Sequence, residues 1–242
     1  MATQLFNTVF YGLVAGLATI LGILLVLYFE KFARKNSTYL ISFAAGVLMA
    51  SALIFLVPES QELTQNALIF VLIGFLIFYL LEHFIVIHSC HEENCQGHAL
   101  DKVAVIGIGF HSLIDGIAIA VGFEISAKIG LIATLAVILH ELPEGITTLS
   151  ILLHRNIKKK LAIIFSLIVA LATPVGAILT YFFVIGISES ILGILLAVTA
   201  GSFIYIAATD LVPETHIRFN KLNALVLLIG VFILYFIGKI VG

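Results

Sequence analysis

Long apolar runs separated by short polar breaks organise this chain. Runs of about 20 mainly apolar residues, the length a helix needs to cross roughly 30 Å of hydrocarbon, occur near 7–28, 39–56, 66–88, 102–123, 128–153, 161–183, 190–211 and 221–240. The breaks between them have no room for a folded soluble domain. The pattern predicts an all-α membrane protein with eight transmembrane helices and a single transmembrane domain over 1–242. No Lys or Arg precedes the first run and no small-residue cleavage site follows it, so it reads as a retained helix rather than a removable signal.

Charge sets the expected orientation. With the N-terminus outside, the inner connections hold Lys31, Arg34, Lys35, Lys102, Arg155, Lys158, Lys159, Lys160, Arg218 and Lys221, and the outer side holds Lys128 and Lys239. An excess of basic residues on the inner side is the usual arrangement. A multi-pass protein of the cell membrane, plasma or inner, with both termini outside is expected.

The chain also carries an internal repeat. A shift of 155 residues lays the segment from Ala44 to Glu59 over the segment from Thr199 to Glu214, with Ala45, Gly46, Ala52, Leu56, Val57, Pro58 and Glu59 meeting identical partners. The same shift carries span 1 onto span 6 and span 3 onto span 8. Five spans separate the copies, so the second is inverted, an arrangement that places binding sites near the midplane. The expected architecture is an inverted repeat of spans 1–3 and 6–8 around a central pair, spans 4 and 5. Chance likeness of apolar helices ending in Pro-Glu is the plainer alternative; the gapless L-V-P-E match favours a repeat.

Composition removes whole classes of function. Of 242 residues, 62% are hydrophobic and 11% charged, and the mean hydropathy is +1.21, far from the roughly 25% charged residues of soluble domains. Twelve Lys and Arg against fourteen Asp and Glu leave a formal charge of −2, so no basic excess exists to hold a nucleic acid. Two cysteines make no disulfide framework.

Ionisable groups at membrane depth cost at least about 2.5–3.5 kcal/mol each on insertion scales, and here they concentrate in spans 4 and 5. Span 4 carries H-S-L-I-D-G from His111 to Gly116, and span 5 carries H-E-L-P-E-G from His140 to Gly145. Residues three and four apart share a helix face. His111, Ser112 and Asp115 therefore form one patch, and His140, Glu141 and Glu144 another. In an antiparallel pair His111 is nearly level with Glu144 and Asp115 with His140. Three buried carboxylates would repel one another or take up protons, and a divalent cation relieves that conflict. Pro143, inside the second motif, and Pro174 in span 6 each remove a backbone donor and free a carbonyl. Two other readings stay open: His-carboxylate pairs that only pin the helices, and a proton relay without metal. Mixed imidazole and carboxylate ligands suit zinc, iron(II) and manganese better than calcium or magnesium.

These two motifs, the eight runs with both ends outside and the L-V-P-E endings together resemble the ZIP (Zrt/Irt-like) divalent metal transporters, in a prokaryotic-type form, over essentially the whole chain. The resemblance implies transport of zinc, and often iron, manganese or cadmium, toward the cytoplasm between the fourth and fifth helices. It implies His111, His140 and Glu144 as ligands of the main site, with Asp115 close by. In many relatives an adjacent ion is held at the positions of Ser112, Glu141 and Glu144. Asn is frequent in the family where this chain has Ser112, and some prokaryotic members have Glu where it has Thr173. Both departures weaken a ligand, which implies one tight ion with at most a loose neighbour. Span 2 of some relatives lines the path with a Met or a polar group, for which Met49 and Ser51 are the local candidates. Asp210, Glu82 and His83, near inner span ends, read either as an exit path or as interfacial side chains.

The connection 88–101 gathers His88, Cys90, His91, Glu92, Glu93, Cys95 and His98 on the inner side. Histidine-rich inner loops are similar to those of the family, and capture of an emerging ion competes with a plain solvated loop. A single Cys pair does not support a structural zinc knuckle. No resident cofactor is expected, since the ion is cargo. The expected partners are that ion and the bilayer, with a homodimer left open and no nucleic acid. Two rival functions remain. H-E-L-P-E begins like the H-E-x-x-H zincin motif of metallohydrolases, but its second His is replaced by Glu144 and a proline sits in the middle. A cation exporter of the diffusion-facilitator type also uses His and Asp four apart, with six spans rather than eight.

Overall fold

The computed structural model describes residues 2–88, 98–154, 157–217 and 221–241. Eight helical rods, α1 to α8, account for nearly all of them. α1 is Ala2–Tyr28 and α3 is Ala67–His88; α2 joins Glu30–Ala50, a π-helical stretch Ser51–Leu56 and Val57–Leu63. α4 is His98–Ile125, α5 Ala127–His154 and α6 Lys159–Val184. α7 joins Glu189–Ile206, the π-helical Ala207–Leu211 and Val212–Ile217, and α8 is Lys221–Val241. Seven of them hold segments long and apolar enough to cross a membrane, and α3 holds a shorter apolar stretch, Ala67–Leu81, among the described residues. The chain is an all-helical, multi-pass membrane protein.

Two helices run past the boundaries that polarity suggests. The segment from Glu30 to Thr38 was expected as a break, yet α2 starts at Glu30, one residue after α1 ends. Lys, Arg and Glu leave hydrocarbon readily but are good helix formers, so polarity ends a span without ending a helix. α2 and α7 also continue through Pro58 and Pro213, where an ordinary helix would meet a ring clash and a missing donor. A π-helical stretch precedes each proline. The Val57 N–H reaches back to the Ala52 carbonyl and the Val212 N–H to the Ala207 carbonyl, five residues instead of four. The wider turn takes up the mismatch.

Packing follows a regular scheme. α1 lies along α5 and α6 along α4; α2 lies along α8 and α3 along α7; α4 and α5 pack together at the centre, next to α2 and α7. Small residues let helix backbones approach closely at several contacts, as is common where no water drives helices together. A side chain on Gly116 of α4 would overlap the Thr173 carbonyl of α6, and one on Gly145 of α5 would overlap the Thr19 carbonyl of α1. Large apolar side chains face outward instead, including Leu13, Leu17 and Leu21 of α1, Leu72 and Leu76 of α3, and Phe232 and Phe236 of α8. Buried Leu48, Leu56, Ile119, Leu196 and Phe203 fill one core, and Ile23, Ile146, Leu149 and Leu152 another.

Candidate metal centre

The α4–α5 hairpin sets the site's register. Ser126 alone connects the two helices, its hydroxyl accepting from the Ile129 N–H at 3.2 Å. Gly122 and Gly130 let the backbones touch beside this turn. A turn this short leaves no freedom of register, so each residue of α4 meets a set residue of α5. His111 faces Glu144 and Asp115 faces His140, two pairs centred on the same point of the chain, between Ala127 and Lys128.

Four side chains converge there. His111 Nε2 lies 3.4 Å from Asp115 Oδ2 and 3.4 Å from Glu144 Oε2, and His140 Nε2 lies 3.3 Å from Asp115 Oδ2. One ligand atom from each of His111, Asp115, His140 and Glu144 can be chosen so that all lie within 4.8 Å of one another. Asp115 is fully buried and His140 is 3% exposed. The imidazole rings tilt against each other at 5.3 Å, and the His140 ring packs edge-on to Phe203 of α7.

Neighbouring groups orient these four. The His140 Nδ1 lies 2.8 Å from the Ala136 carbonyl, an acceptor only, so Nδ1 carries the hydrogen and Nε2 offers a lone pair to the cluster. The Ser112 hydroxyl donates to Glu144 Oε1 at 2.7 Å, leaving Oε2 toward His111. Both Asp115 oxygens, His140 Nε2 and His111 Nδ1 are buried without a hydrogen-bond partner. Buried polar atoms without partners are rare, and all four belong to side chains of the converging group. Two imidazole nitrogens and two carboxylate oxygens form a donor set that a divalent transition metal can satisfy.

Glu141 stands apart from this group although it occupies the second motif. Its carboxylate accepts from the hydroxyls of Thr19 on α1 and Thr173 on α6. Thr19 was not among the sequence candidates. The signal that could have found it is a short echo, L-A-T-I-L-G from Leu17 to Gly22 against L-A-T-P-V-G from Leu171 to Gly176. Helices α5 and α6 run unbroken through Pro143 and Pro174, and the Pro143 carbonyl accepts from the Thr147 hydroxyl.

Among the described residues, the remaining candidates do not join the cluster. Met49 packs against the larger core. Ser51 opens the π-helical stretch of α2, buried, with its hydroxyl unpartnered. His83 is exposed and stacks on Tyr79, ring centroids 5.7 Å apart. Asp210 is exposed on α7 and accepts from Thr209 at 2.8 Å. Cys90, His91 and Cys95, with the side chains of Glu82, His88 and His98, lie outside the described residues.

A polytopic helical membrane protein with imidazoles and carboxylates gathered between two central helices is the class these features define. The chain belongs to the ZIP zinc transporter family: that family's model matches residues 88–238, which include both motif helices entire. Among curated proteins, "Zinc transporter foi" of Drosophila melanogaster is 31% identical over 66% of this chain and 24% of its own length. "Zinc transporter ZIP4" of Homo sapiens is 33% identical over 47% of this chain and 17% of its own. "Zinc transporter zipt-7.1" of Caenorhabditis briggsae is 36% identical over 43% and 27%. The matched region thus spans about a quarter or less of each of these relatives.

Proposed function

We propose that this chain moves a divalent metal ion, zinc first and iron, manganese or cadmium as further cargo, across a cell membrane toward the cytoplasm. The ion is held by His111, Asp115, His140 and Glu144. The observation that carries the reading is the convergence of four ligand atoms from two neighbouring helices within 4.8 Å, backed by membership in a family whose similar proteins are named zinc transporters. The zincin-like reading of H-E-L-P-E loses ground on chemistry: the position of the second zincin His is Glu144, and its partners are Ser112 and His111. Uptake into proteoliposomes, with Zn²⁺ competed by Fe²⁺, Mn²⁺, Cd²⁺, Mg²⁺ and Ca²⁺, tests the proposal. Transition metals should compete and Mg²⁺ and Ca²⁺ should not; no saturable Zn²⁺ flux would refute it.

The proposed architecture is a single domain of eight spans with both termini outside, built as an inverted repeat, and a homodimer remains compatible with it. Exchanging α1 with α6, α2 with α7, α3 with α8 and α4 with α5 carries the packing scheme onto itself. The same exchange carries one π-helical stretch onto the other, Val57 to Ala52 onto Val212 to Ala207. In this arrangement α4 and α5 are themselves a related pair, and the site lies on the axis between them.

Two outcomes follow from the ligand set. Ser112→Ala removes the hydroxyl that turns Glu144, and should weaken Zn²⁺ binding by roughly tenfold, as loss of a ligand-orienting group commonly does, without loss of folded protein; equilibrium dialysis measures it. Protons compete with the ion for imidazole and carboxylate. Uptake should therefore weaken as external pH falls. An uptake profile flat from about pH 5 to 8 would contradict this.

A further inference from the structure

Glu141 is the one acidic side chain of the two motifs outside the converging group of four. It is fully buried, and each of its oxygens accepts a hydrogen bond. The Thr19 hydroxyl donates to Oε2 and the Thr173 hydroxyl to Oε1. A buried carboxylate without partners carries a desolvation penalty of several kcal/mol, and hydrogen bonds to a charged acceptor are the strong ones. Two hydroxyl hydrogens thus offset the charge that a second cation would otherwise offset.

The two donors reach Glu141 from different helices, α1 packed along α5 and α6 along α4. They stand at the same place in the L-A-T-x-x-G echo, and Glu141 and Ser112 stand at the same place in the two motifs. Were both halves alike, each threonine would meet its own second-position residue. Instead the single Ser112 hydroxyl hydrogen goes to Glu144, the nearer of its two acceptors at 2.7 Å against 3.0 Å for the Ile108 carbonyl, while both threonines turn to the single carboxylate. A carboxylate has two equivalent oxygens, so it can serve one donor on each side. Serine in place of a second acid breaks the symmetry, and the threonines close around what is left.

We infer that Thr19 and Thr173 are positioning residues that hold Glu141 out of the ion's ligand shell, so that the intramembrane site accepts one divalent ion and not an adjacent pair. This rests on the metal site proposed above. By the resemblance to the family, an adjacent ion would be held by Glu141, Glu144 and Ser112 together. Glu141 is anchored toward α1 and α6, and the Ser112 hydrogen is already directed at Glu144.

The test counts Zn²⁺ bound by the purified full chain in nanodiscs at saturation, by equilibrium dialysis and elemental analysis. The share of the intramembrane site is the difference between each protein and its counterpart also carrying His111→Ala, His140→Ala and Glu144→Ala, which removes ligands of both positions and cancels metal held elsewhere. The expected difference is one ion for the unsubstituted chain and two for T19V/T173V. It returns to one for T19S/T173S, which restores both hydroxyls; a change of fold alone would not reproduce that pattern. Two ions in the unsubstituted chain or in T19S/T173S, or one in T19V/T173V, overturns the inference and leaves the site proposal standing. No difference in the unsubstituted chain overturns both. Should T19V/T173V fail to fold, T19A/T173A takes its place, with two ions expected and one overturning the inference.

Discussion

His140→Ala is expected to abolish saturable Zn²⁺ uptake, by at least about 100-fold in Vmax/KM, while the protein remains folded in the membrane. The effect is large because His140 does three things at once. Its Nε2 lies 3.3 Å from Asp115, its Nδ1 is tied to the Ala136 carbonyl, and its ring packs against Phe203. Loss of a ligand-orienting group alone costs about 10 to 100-fold in metal affinity, and here a proposed ligand itself goes. Glu144→Ala should match it, since Glu144 brings a carboxylate oxygen within 3.4 Å of His111. Uptake assayed in proteoliposomes, with folded protein monitored by size-exclusion chromatography, measures both. Normal flux in the two variants would remove the site assignment.

The second large effect is on stability, and it has opposite signs at two glycines of one helix. Gly116→Ala should sharply lower the amount of folded protein, because the added methyl would overlap the Thr173 carbonyl and the Ala177 nitrogen of α6. These are backbone atoms, and α6 cannot yield without moving the Thr173 hydroxyl that Glu141 depends on. Overpacking of this kind costs about 1–3 kcal/mol where side chains can give way, and more is expected here. Gly107→Ala meets nothing within 4 Å, so it should gain the roughly 0.8–1 kcal/mol of helix propensity that alanine holds over glycine. Thermal unfolding followed by fluorescence-detected chromatography should separate the two. Equal midpoints would show that α4 and α6 are not packed as described.

Much of the site was legible because its order is local. The i, i+4 spacing within H-S-L-I-D-G and the i, i+4 spacing from His140 to Glu144 put pairs of ligands on one face of each helix. A single-residue turn then leaves one register, so level pairs in the sequence become neighbours in space, His111 with Glu144 and Asp115 with His140. The position of Glu141 was not legible. Its spacing from His140 and Glu144 is as good as that of the residues that converge, yet it turns to α1 and α6. Threonine in an apolar helix ordinarily donates to the carbonyl four residues back, as Thr134 does here, so nothing about Thr19 alone marks it as a carboxylate partner.

Helix continuity was likewise read from the wrong quantity at three places. Charge near Glu30 and the prolines at 58 and 213 suggested ends, but the helices continue, by propensity in the first case and by a widened turn in the others.

What the sequence determined by itself is what depends on neighbours along the chain: helical, membrane-spanning segments, motif faces, and the register of one tight hairpin. What only the tertiary structure decided is which distant helix satisfies each buried polar group. Close approach of α1 to α5 and of α6 to α4, made possible by glycine where backbones touch, sets those partners. A hydroxyl and a carboxylate 122 residues apart, such as Thr19 and Glu141, have no periodicity to reveal them. The cost of leaving either unpaired in a dry interior brings them together.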